Sequence, residues 1–250
     1  MIIIWIVAIL VVLAAILLYW FGGRSYFSPL SSLQATPQAS SGTAGTASPD
    51  TKGSGNVTPT PKATKSPTPT PAATSKSITV GSNSAVDGFE SSNGGGNTGL
   101  DIRAGRNSNL VTRGFVSFNV PSEVSGKTID KVVMRLYQGQ IIGSPYTPGG
   151  SLKVDHLDYG PTLENADYSQ ASLSSNFATL TGNATVEWKD LVITDQFKDD
   201  MGNGRARSQY RIHFATEAVG GDVTGDFTYF ESQDNSIGTG NRPQLVITYH

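Results

Sequence analysis

Between Ser77 and His250 apolar residues recur with a period of two, in short runs separated by Gly, Asn, Ser and Asp. That spacing sends successive side chains to opposite faces of an extended strand, and it does not gather them on one side of a helix. Leu100, Ile102 and Ala104 alternate with Asp101 and Arg103; Val116, Phe118 and Val120 alternate with Ser117 and Asn119. Val132, Met134 and Leu136 alternate with Val133, Arg135 and Tyr137, and Leu152 and Val154 with Lys153 and Asp155. Tyr210, Ile212 and Phe214 alternate with Arg211, His213 and Ala215; in the last run Leu245, Ile247 and Tyr249 take turns with Val246 and Thr248. Phe227–Phe230 precedes that run across a polar turn region, and Pro243 stands at its start, where a missing N–H is tolerated. Many short strands, each with one apolar face, predict an all-β fold, an antiparallel jelly-roll-like β-sandwich.

One short helix interrupts the pattern, at Thr194–Met201. Thr194 is placed to cap the first turn and Asp195 to favour the positive end of the dipole. Ile193, Phe197 and Met201 fall four apart and make one apolar stripe, and Gly202 follows as a stop.

The first 76 residues have a different character. Met1–Phe21 carries no charge and no proline, and as a helix it would span roughly 31 Å, the thickness of a hydrocarbon core. Trp5, Tyr19 and Trp20 lie near its ends, where amphipathic rings favour the interface. A cleaved signal peptide is the alternative, but there is no basic segment before the apolar run and no A-x-A site soon after it. Residues 1–22 are therefore read as a transmembrane anchor helix. Residues 23–76 are read as a Ser/Thr/Pro linker, with the near-repeat TPTPKATKSPTPTPAATSK at Thr58–Lys76. From about Pro29 to Lys76 it has too little apolar surface to fold, and the reach of that stretch lies between roughly 40 Å as a coil and 150 Å extended. Arg24, on the C-terminal side, votes for a cytoplasmic C-terminus; the stalk-like linker argues for the outside. The expected location is the cell membrane, crossed once, with the C-terminal domain extracellular.

Formal net charge is −2 over 250 residues, which offers no basic footprint for nucleic acid. The chain has no cysteine, so disulfides and zinc–thiolate sites are excluded.

Several stretches of residues 77–250 occur in an order that resembles the DNRLRE-type β-sandwich module. They are Asp87-Gly88-Phe89, the GGGNTG turn with Leu100–Arg103, RGFVSFNVP at Arg113–Pro121, and IDKVVMRLY at Ile129–Tyr137. VITDQFKDD at Val192–Asp200, SQYRIHF at Ser208–Phe214, YFES at Tyr229–Ser232 and NRPQLVITY at Asn241–Tyr249 complete the set. The resemblance implies an extracellular module for carbohydrate binding or adhesion, related to disaggregatase-type and carbohydrate-binding modules. It carries over no catalytic residue, because the matching positions read as scaffold.

The motifs with catalytic or cofactor meaning have plainer readings. Gly94–Gly99 fits G-x-G-x-x-G, but a strand pattern follows it where a dinucleotide site needs a helix, so it reads as a turn. His156, His213 and His250 are scattered; His213 is expected on the outward, solvated side of its strand, and Asp199-Asp200 at an exposed helix end. Asp222–Asp226 resembles half of a calcium loop and otherwise reads as a turn, so no cofactor is expected, with structural calcium as the alternative there.

Sugar recognition needs flat aromatic faces beside polar or charged side chains. By strand parity Arg135 and Tyr137 point outward, as does Lys153, while Tyr146, Tyr159, Tyr168 and Trp188 lie in or beside loops. Arg135, Tyr137, Lys153, Tyr159 and Trp188 are the candidate carbohydrate-binding residues, with packing as the alternative role for each. The sequence thus points to a non-catalytic module whose partner is a polysaccharide or cell-surface glycan. A structural surface protein making protein or self contacts is the alternative, and a polysaccharide-active enzyme a third.

Overall fold

The computed structural model describes residues 74–250; the expected anchor and the linker up to residue 73 lie outside the described residues. Among the described residues no helix is long and apolar enough to cross a membrane. The strands are β1 (Lys76–Gly81), β2 (Gly88–Ser91), β3 (Gly96–Asn97), β4 (Ile102–Arg106), β5 (Val111–Asn119), β6 (Ile129–Ile142), β7 (Leu152–Leu157), β8 (Ser174–Thr181), β9 (Glu187–Val192), β10 (Arg207–Phe214), β11 (Asp226–Phe230) and β12 (Gln244–Tyr249). A single helical turn, α1 (Tyr146–Gly149), and the helix α2 (Thr194–Gly202) join them.

The pairings are antiparallel and link the strands into one sheet with the path β1-β12-β6-β11-β4-β5-β10-β7-β8. Two long strands organise it. One edge of β6 is shared by β12, along Ile129–Arg135, and β11, along Gln138–Ile142, while β9 takes the opposite edge along Val133–Gln138. Similarly, one edge of β5 is shared by β4 and β10, and β2 takes the other. Changing partners along a strand turns the sheet, so it curls around its own apolar face. The result is an all-β, antiparallel fold.

The period of two identifies the face that is enclosed. Val116, Phe118, Val132, Met134, Leu136, Leu152, Val154, Tyr210, Ile212, Phe214, Leu245, Ile247 and Tyr249 are all buried in the main core. Leu100 does not join them: β4 starts at Ile102, and Leu100 remains exposed in the turn before it.

Helix α2 lies against that core through Ile193 and Phe197, both fully buried, with Met201 half-buried beside them. The expected cap is not used. Thr194 is the first helical residue rather than the cap, and its hydroxyl accepts the Val132 N–H at 3.0 Å, tying the helix start to β6. Gly202 is the last helical residue, and the left-handed φ that ends the helix (67°) falls at Gly204 instead.

A second, smaller cluster holds Val86, Phe115, Leu157 and Tyr159. Phe115 and Leu157 lie on the opposite side of their strands from the main core, so this part of the sheet is covered on both faces. The cover is the segment 158–173.

Candidate functional site

Three arrangements of chemistry-bearing side chains emerge, and one of them faces outward. On the outer face of β6 and β9 the register sets Tyr137 opposite Trp188 and Arg135 opposite Asp190, with Gln244 of β12 on the other side of Arg135. The Tyr137 and Trp188 rings meet edge to face, centroids 5.5 Å apart. The Arg135 guanidinium lies 4.8 Å from the Trp188 ring centre, a cation–π contact. Its Nε donates to Asp190 Oδ1 at 3.0 Å and Nη1 donates to Gln244 Oε1 at 3.2 Å. The side chains of Arg135 and Asp190 are 32% and 50% exposed, and Val192, next on the same face of β9, is 54% exposed. Aromatic surface, a donor fork and a carboxylate acceptor therefore stand together on one outer sheet face. That combination suits stacking against a sugar ring while bonding its hydroxyls.

The other two candidate residues lie elsewhere. Lys153 sits on β7 and donates to Thr179 Oγ1 on β8 at 2.8 Å. Tyr159 is buried in the smaller cluster, 5.5 Å edge-on to Phe115, and its hydroxyl donates to the Val86 carbonyl at 2.8 Å. It presents no surface to a ligand, and burial holds its phenol well above the usual range.

The second arrangement is a covered ionic network on the outer face of β5, β7 and β10. Asp155 Oδ2 accepts from Arg211 Nη2 at 2.6 Å and Nε at 3.0 Å; Oδ1 accepts the Asn176 N–H at 2.7 Å and lies 3.3 Å from His213 Nε2. Arg211 Nη1 donates to the Asp167, Tyr168 and Gln170 carbonyls, and Arg113, paired with Glu217, donates to the Tyr168 carbonyl. Tyr168 lays its ring over Arg113, 4.4 Å away. Burial alone would raise the Asp155 carboxyl, but His213, the Asn176 N–H and Arg211 together hold it well below the ordinary range. These side chains fasten the 158–173 segment to the sheet. His213 does lie on the outward side of its strand, yet it is buried, with Asp155 and Glu217 against its ring nitrogens.

The third lies where α2 meets β7. His156 Nε2 and Asp200 Oδ1 are 2.8 Å apart, and the imidazole stacks on Tyr210. Asp200 is fully buried rather than part of an exposed helix end; Asp199 alone is exposed. His156, Asp199 and Asp200 bring ligand atoms within 4.8 Å of one another. Arg205, however, bonds Asp199 at 2.6 Å and Asp200 at 3.1 Å and is the cation of this cluster. Among the described residues no serine hydroxyl is hydrogen-bonded to a histidine.

The Asp222–Asp226 loop uses its carboxylates as turn acceptors. Asp222 Oδ1 takes the Thr224 and Gly225 N–H groups at 2.8 Å, and Asp226 Oδ1 takes the Ser144 N–H. Gly96-Asn97, within the glycine-rich stretch, pairs with β2 as the short strand β3.

Asp87, fully buried in the β1–β2 connection, accepts from Ser82 Oγ at 2.6 Å and the Gln233 N–H at 3.1 Å through Oδ2 and leaves Oδ1 without a donor. Burial pushes its carboxyl from the ordinary 3.8 up to about 6. A carboxyl with a raised folded value favours the protonated fold: the stability it contributes is fully present below 3.8 and is lost as pH rises through about 6. The difference amounts to at most about 3 kcal/mol. Asp87→Asn is expected to flatten this part of the profile and to be at least as stable as the parent at pH near 7.5. Urea unfolding of both proteins at pH 4.5 and 7.5 checks it, and an unchanged pH dependence would refute it.

Compared with known protein-family models and with curated proteins, the sequence matches none.

Proposed function

We propose that this protein is a membrane-anchored, non-catalytic module that binds polysaccharide or a cell-surface glycan outside the cell. The curled antiparallel sheet is, in this reading, a jelly-roll-like sandwich, held away from the membrane by the Thr/Pro linker. One observation carries the reading: Trp188, Tyr137 and Arg135 stand together on the open face of β6 and β9, with Asp190 and Gln244 beside them. The Arg135–Asp190 pair is only partly exposed to solvent and already internally matched, so it offers both donors and acceptors to hydroxyl groups without a net charge to select acidic sugars.

A glycan array probed with the purified protein tests this. Trp188→Ala is expected to weaken the hits about 10-fold or more, since it removes both the stacking surface and the support of Arg135. Lys153→Ala, on the β7–β8 face, is expected to leave them unchanged. An array without hits, or hits indifferent to Trp188→Ala, counts against the reading.

The second reading, contact with proteins or with another copy, has its own observation. Strand β9 pairs only with β6 among the described residues, and Val186 and Val192 beside that open edge are 52% and 54% exposed. Self-association in sedimentation together with a silent array would favour it. Turnover of a polysaccharide would instead require an enzyme.

A further inference from the structure

Glu90 on β2 is 3% exposed, and its Oε2 is buried with no hydrogen-bond donor. That oxygen has surrendered its water and received nothing in exchange. The residue opposite it in register, Arg113, is the obvious counter-ion, but its guanidinium is committed to Glu217 and the Tyr168 carbonyl. Burial first, and then the like charge of Asp167, push the Glu90 carboxyl upward. Asp167, itself buried, is pushed upward by burial and by Glu164.

Glu90 forms part of the wall of an open polar groove of about 360 Å³, between the β2–β3 hairpin and the 163–165 stretch. Asn97, Thr98 and Asn165 line the same groove. The Thr98 hydroxyl and the Asn165 amide take no part in the hydrogen bonds among the described residues, and Asn97 Oδ1 accepts one, the Gly99 N–H. Gly96 makes the arrangement sterically feasible, because a Cβ there would collide with the Glu90 carboxylate. Oxygen donors from a carboxylate, amides and a hydroxyl, an unneutralised buried negative charge and an open approach therefore meet in one place.

We infer that this groove is a calcium site, with Glu90 as the charged ligand and oxygens of Asn97, Thr98 and Asn165 around it. A hard cation follows from the all-oxygen donor set. Calcium is favoured over magnesium because the donors sit on a glycine-rich hairpin and a turn, which suit a loose shell better than a strict octahedron. The bound ion would neutralise Glu90 and clamp the hairpin to the 158–173 segment. The inference is independent of the glycan reading, and it concerns a different loop from Asp222–Asp226.

The test is thermal unfolding of the purified full-length protein in mild detergent, stripped with a chelator and titrated with calcium chloride or magnesium chloride. Calcium is expected to raise Tm saturably, with a midpoint on the order of 10⁻⁴–10⁻³ M, and by about 3–6 °C at ten times that midpoint. Magnesium at the same concentrations is expected to do much less. Glu90→Gln is expected to abolish the calcium shift, while its calcium-free Tm equals or exceeds the parent's, because the uncompensated charge is gone. Thr98→Val, which keeps the fold's interior untouched, is expected to raise the midpoint several-fold, and Asp222→Asn to leave it alone. No saturable shift, an equal response to magnesium, or a shift that survives Glu90→Gln or disappears with Asp222→Asn would overturn the assignment.

Discussion

Asp155→Ala is expected to destabilise the domain by about 3–5 kcal/mol, the usual cost of leaving a buried partner charge uncompensated. Asp155 is 3% exposed and Arg211 is 7% exposed, so water cannot take over the guanidinium when the carboxylate is lost. The same substitution orphans the Asn176 N–H and removes the anion beside His213. For a domain of this size the loss corresponds to a Tm lowered by about 6–20 °C. Because the folded value of Asp155 is depressed, its contribution is present above the unfolded value and is lost only as pH falls below it. The effect should therefore be full at pH 7. Removing both charges, as in Asp155→Leu with Arg211→Met, is expected to cost less than Asp155→Ala alone. Chemical denaturation of the three proteins decides the matter; a loss below about 1 kcal/mol would show that the segment 158–173 is held by other means. Limited proteolysis supplies a local readout, with cleavage between 158 and 173 appearing first in the variant.

Phe197→Ala should cost a similar amount, about 3–5 kcal/mol, for a different reason. Its ring is fully buried in the main core and is the middle member of the α2 stripe. The helix is only nine residues long, too short to hold its shape without packing. A cavity under it should therefore loosen Asp199 and Asp200 as well, and with them the bonds to Arg205 and His156. Near-UV dichroism and urea unfolding would register both effects. Met201→Ala, at the half-buried end of the same stripe, should cost clearly less. Equal losses at the two positions would contradict the packing described here.

The strand faces were readable because a strand with one buried side repeats its apolar residues every second position. Val132, Met134 and Leu136 show this, as do Tyr210, Ile212 and Phe214. Parity also sets which residues of those strands point outward; what parity cannot give is whether anything lies on top. Arg135 and Tyr137 stay at the surface, whereas Arg211, of the same parity class, is closed over by chain from 158–173, and His213 is buried between Asp155 and Glu217. The cover has little apolar pattern of its own. Apart from Tyr159 and Tyr168, it is held by backbone carbonyls, and those are present in every sequence. Trp188 becomes a partner of Tyr137 through a register between strands about fifty positions apart, and no local motif records such a register.

Glu90 shows the same division. As a residue in a short strand next to glycines it has no sequence signature, and its importance comes from what the fold withholds: a donor for Oε2 and the Arg113 charge. The sequence by itself determined the all-β class, the inward face of β5, β6, β7, β10 and β12 and the place of the α2 helix, since those depend on the spacing of residues near one another along the chain. The tertiary structure decided which outward face is open, which carboxylates are matched and which one is left bare. Those outcomes depend on distances between distant parts of the chain, and electrostatic and hydrogen-bonding energies are set by such distances and by the exclusion of water.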